Sequence, residues 1–169
     1  MEGIDAGRVG LLEAVKRFTE DATGELMMPV RIQRAGEEQI YRAAEVFLMR
    51  LPDSKSVFKK APYILHQLIT AQDRQPPGQH PVSTALVRSI FCVYNEDEQE
   101  GGLMLLNLME RLRIAMERKI VIEKRYKLLL DPAMEALVYT EDTAPYYAGE
   151  MVSTWKIPAI EREVRELYE

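Results

Sequence analysis

The sequence predicts an α+β fold, an antiparallel β-sheet covered by a long central helix and an N-terminal helix. Three observations lead there. Residues 103–118 repeat apolar side chains at helical spacing. Residues 62–72 and 83–94 are rich in β-branched and aromatic side chains, and the stretch between them, DRQPPGQHP, holds three prolines and a glycine that cannot continue a ladder. A chain of 169 residues, 47% hydrophobic and 29% charged, has the length and composition of one globular domain spanning 1–169.

The elements follow in order. Residues 4–20 place Val9, Leu12, Val15 and Phe18 three apart, which predicts a short amphipathic helix with Asp5 as its cap and Gly24 just past its end. In 28–55, Val30 and Ile32 alternate with Arg31 and Gln33, and Val46, Leu48 and Arg50 alternate with Phe47, Met49 and Leu51. This predicts two short strands, although EEQIYRAAEVFLMRL also suits a helix. Pro52-Asp53-Ser54 ends that element in a turn. The strands at 62–72 and 83–94 flank an exposed loop. In the helix at 103–118, Leu105, Leu108, Leu112 and Ala115 form one stripe, widened by Leu106, Met109 and Met116, while Asn107, Glu110, Arg111, Arg113 and Arg118 face outward. Further strands are expected at 125–130 with 136–140 and at 149–157, and residues 158–169 form a charged tail with helical character.

Candidate chemistry is sparse. Glu96, Asp97, Glu98 and Glu100 crowd the start of the central helix, where acids complement the dipole and Asn95 with Glu98 resembles a capping box. Arg111, Arg113, Arg118 and Lys119 supply the opposite charge toward the other end. A calcium loop needs alternating acids around a central glycine, and that pattern is absent. Cys92, the single cysteine, sits in an apolar strand with no basic neighbour, so a small buried hydrophobe is the reading rather than a nucleophile. His66 is expected half-buried and His80 exposed; neither has a partner at zinc-ligand spacing. Motifs for hydrolases, phosphate loops and zinc proteases are missing. Pro52-Asp53 opens like a metal-nuclease motif, but the next Glu-x-Lys, Glu117 to Lys119, falls on the helix and too far along. No catalytic residue, metal site or cofactor is therefore expected. A net charge of −5 argues against general nucleic-acid binding, and no apolar run reaches the length of a membrane span, so a cytoplasmic product is expected. Tyr146, Tyr147 and Trp155 lie in an aromatic-rich stretch with little basic company, which favours a protein contact over base stacking.

The stretches RLPDSKSVFKKAPYILHQLITAQDRQPPGQ, FCVYNEDEQEGGLMLLNLMERLR and DTAPYYAGEMVSTWKIPAIERE resemble proteins encoded in prophage tail-morphogenesis clusters, a likeness over roughly residues 25–165. The element order of 60–157 is also similar to that of the lambda-type phage tail terminator family. That resemblance implies an antiparallel sheet flanked by helices and a hexameric ring that caps the tail tube and offers the head-joining surface. It makes residues 60–157 the sheet-and-helix core and about 25–58 an extra segment. The implied partners are further copies of the chain, the tail tube protein and a head–tail connector protein, first in the host cytoplasm and then in the virion tail. Candidate contacts are Tyr146, Tyr147 and Trp155, with Glu96, Asp97 and Glu98 facing Arg111, Arg113, Arg118 and Lys119 across subunits. The alternatives are a head–tail or minor-tail adaptor that forms no ring and, in another class, a metal-dependent nuclease.

Overall fold

The computed structural model describes residues 7–32, 34–52 and 60–161. Among them the order is α1 (Arg8–Thr23), β1 (Met28–Pro29), β2 (Tyr41–Arg42), β3 (Glu45–Leu48), β4 (Tyr63–Arg74), β5 (Val82–Tyr94), α2 (Glu98–Lys119), β6 (Val121–Ile122), β7 (Tyr126–Leu129), β8 (Glu135–Val138) and β9 (Tyr146–Ile157). The class is α+β. β1 and β2 form a small ribbon, and the other seven strands form one sheet in the order β3-β4-β5-β9-β7-β6, with β8 also on β9.

The sheet is not wholly antiparallel, which corrects the expectation. β3 runs parallel to β4, with Glu45 beside Tyr63 and Leu48 beside His66. Fourteen residues separate Leu48 from Tyr63, and a parallel pair needs a connection of about that length; the expected turn at 52–54 lies largely outside the described residues. The stretches expected to pair with each other near 125–140 do not: β8 lies along Gly149–Val152 and β7 along Thr154–Lys156, end to end on the same side of β9.

Alternation along the central strands divides two apolar clusters. Odd-numbered β5 and β9 residues (Ala85, Val87, Phe91, Met151, Trp155) face the helices. They meet Leu11 and Val15 of α1 and Leu105, Leu108, Met109, Leu112 and Met116 of α2. On the opposite face Tyr63, Leu65, Cys92, Tyr94 and Tyr146 make a smaller cluster. In α1 the buried stripe is turned from the expected one: Val9 is 60% exposed while Leu11 and Ala14 are inside. Gly7 stands at its N-cap without a side-chain bond, and the expected cap Asp5 lies outside the described residues.

α2 starts at Glu98, ahead of the expected 103, because Gly101 and Gly102 are helical. Gly101 is needed there: a Cβ would fall 2.1 Å from Cε2 of Tyr147, whose ring lies against that turn. The cap is Asp97, whose Oδ1 accepts the Gln99 N–H at 2.9 Å. Asn95 instead accepts the Asp97 N–H and shapes the preceding turn, so the expected Asn95–Glu98 box is replaced. Leu106 does not widen the buried stripe; it is 45% exposed. The proline stretch is an exposed hairpin end shortened by strand growth to Arg74 and from Val82. Of the tail expected to be helical, residues 158–161 are not in a helix, and 162–169 lie outside the described residues.

Candidate interaction surface

The two faces of the sheet have unequal cover. Helices lie on one; on the other a groove of about 470 Å³ runs between the end of β3 and the β8–β9 connection. Its floor is Tyr63 and Leu65 of β4, Ile90 and Cys92 of β5 and Ala148 of β9, which the registers place side by side (Tyr63 with Cys92, Leu65 with Ile90, Cys92 with Ala148). Met49 and Leu51 form one wall; Tyr139, Glu141 and Thr143 form the other. Met49 reaches its place through a left-handed turn, φ 66°, and its backbone carbonyl accepts from Gln67 Nε2 at 3.1 Å. Leu137, opposite Glu150, extends the apolar surface onto β8 and is 57% exposed. All four β8 residues are exposed, and β9 is the strand it pairs with among the described residues. A volume of this order, with an apolar floor and a polar rim, is in the range of pockets that take a small ligand or the side chains of a neighbour.

Charge on this face is already matched within the chain. Arg88 Nε donates to Glu150 Oε2, and Arg88 Nη2 donates to the Tyr139 hydroxyl at 3.3 Å, which ties β5, β9 and the end of β8 together. The hydrogen bond that Arg88 donates to Glu150 raises the Arg88 pKa above its ordinary value. Cys92 is 1% exposed, and burial pushes its thiol up to about 12, so no thiolate is available there at neutral pH. That agrees with its reading as a small hydrophobe.

His66 departs from expectation: it is fully buried, not half-buried. Its ring bridges Thr19 Oγ1 at 2.8 Å through Nε2 and Ser89 Oγ at 2.7 Å through Nδ1. Thr19 donates its one hydroxyl proton to the Val15 carbonyl, so it accepts from Nε2–H, and Nδ1 then accepts from Ser89. This satisfies a neutral ring, and burial lowers the pKa to about 3. His80 is exposed.

The predicted contact residues separate. Trp155 is wholly buried on the helix face, its indole N–H donating to Ser153 Oγ at 2.9 Å; it belongs to the core, not to a subunit contact. Tyr146 is 9% exposed beside Tyr94, and its hydroxyl accepts from Arg31 at 2.9 Å. Tyr147 faces the other way, against α2. Glu96, Asp97 and Glu98 are exposed at the start of α2, and Arg111, Arg118 and Lys119 are exposed toward its end. Arg113 instead bridges Glu110 and Glu117 within the helix, and its guanidinium holds the Glu110 carboxyl below its ordinary pKa. The groove itself has no sequence signal, because its residues follow ordinary strand alternation.

Among the described residues no three His, Cys, Asp or Glu side chains group as a metal site, and no helix is long and apolar enough to cross a membrane. No protein-family model matches the chain, and no curated protein sequence matches it.

Proposed function

We propose that this chain is a structural subunit of a phage or prophage tail, a tail terminator whose copies form a ring over the end of the tail tube and present the surface to which the head is joined. The observation that carries this reading is the apolar groove on the sheet face opposite α1 and α2, continuous with the exposed β8. An assembly protein can seat a neighbour's side chains in such a groove, where Met49 at its wall and Leu137 beside it are half-exposed. The likeness of three long stretches to proteins of prophage tail clusters supplies the kind of assembly. The polar hairpin end at 75–81, exposed and held by Gln75 Nε2 donating to the Gln79 carbonyl at 2.6 Å, is a second surface for contact with neighbours.

The test mixes the protein with tail tubes that lack their terminator. A terminator binds the tube end, fixes the length of the tube and gives a ring-sized mass on it. Protein that leaves tube length unchanged but joins completed tails to heads as a single copy is the adaptor instead. Protein that does neither overturns the tail reading.

A further inference from the structure

We infer that the outward face of α2 is a self-association surface on which a second copy docks antiparallel about a two-fold axis. At 3.6 residues per turn, Leu103, Asn107 and Ile114 share the side of α2 opposite the buried Leu105–Leu112–Met116 stripe. Leu103 is 62% and Ile114 38% exposed. Glu100 and Arg118 lie on one flank of this stripe, near its opposite ends, and neither forms an ion pair within the chain among the described residues. The helix thus carries an apolar centre flanked by an acid, Glu100, at one end and a base, Arg118, at the other, with the exposed Arg111 between them on that flank.

A second copy satisfies that pattern by antiparallel alignment. With the two-fold axis midway between residues 108 and 109, Leu103 of one copy meets Ile114 of the other. A two-fold axis across the helices keeps each flank facing the same flank of its partner, so Glu100 comes to Arg118 twice, once at each end. On the opposite flank Arg113 already neutralises Glu110 and Glu117, so that side adds no excess of negative charge. This inference is independent of the ring: a two-fold contact cannot close a ring of six, and it would instead join two copies, or two rings face to face.

Four variants test it by solution mass over a dilution series and by disulfide formation. Leu103→Cys and Ile114→Cys are placed in separate preparations; Cys92 is buried and takes no part. Mixed under oxidising conditions, the two preparations give a covalent dimer, and each alone gives none, because like positions lie about 17 Å apart along the helices. Glu100→Arg raises the apparent dimer Kd about tenfold, and adding Arg118→Glu restores it. Cross-linking within a single preparation, no cross-link in the mixture, or no restoration by the double reversal overturns the inference. Tube capping that persists in these variants leaves the terminator reading standing, so the two proposals fail separately.

Discussion

His66 is held neutral between two hydroxyls, and acid is the direct probe of that arrangement. Its pKa falls from 6.5 in the open chain to about 3 in the fold. Because the folded value is depressed, the contribution to stability is complete above pH 6.5 and is lost as pH falls toward 3. By pH 5 the loss should be about 2 kcal/mol, at 1.36 kcal/mol per unit below the open-chain value. Urea midpoints at pH 7 and pH 5 read this directly. His66→Leu should flatten that slope, and at pH 7 it should cost about 1–3 kcal/mol because the Ser89 hydroxyl loses its partner. An unchanged slope in the variant would place the titration elsewhere. In the sequence His66 looked like an ordinary strand position; its partners, 47 and 23 residues away, are visible only after the sheet has formed.

At the scale of elements, α2 and Gly149 give contrasting tests. Leu112→Ala, at 0% exposure, should cost about 2–5 kcal/mol, while Leu106→Ala on the outer side should stay within about 0.5 kcal/mol. Equal effects would mean the helix is turned from its described phase. Gly149→Ala should cost about 1–3 kcal/mol, since a Cβ there falls 2.8 Å from the Leu137 carbonyl and 3.1 Å from Met109 sulfur, and β8 must move off β9. Thermal denaturation measures both. The long elements were legible because they repeat: the apolar spacing of α2 and the β-rich runs of β4, β5 and β9 hold over several turns or pleats. What escaped was decided by distant partners. The helical Gly101 reads as a breaker until Tyr147 covers it. β3 shows alternation, but nothing in its own residues states that its neighbour runs parallel.

For the whole molecule the groove is the feature with a functional test. Met49→Lys and Leu137→Lys change rims that are 49% and 57% exposed, so stability should shift by no more than about 0.5 kcal/mol. Tube capping should be lost, as judged by tube length in electron micrographs. Retained capping would move the contact to another face. A sequence records which side chains alternate, not whether a third layer will cover them, which is why Ile90, Cys92 and Ala148 read as an ordinary strand interior. The one-sided pairing of β8 has a further consequence. β5 is flanked along its length by β4 and β9, so its amides exchange with deuterated solvent only when the sheet opens. Among the described residues β8 amides are held by β9 alone and exchange through local fraying. A neighbour that covers this edge would slow deuterium uptake at Glu135–Val138 and leave β5 unchanged, so the free and assembled states differ in a clock carried by four residues.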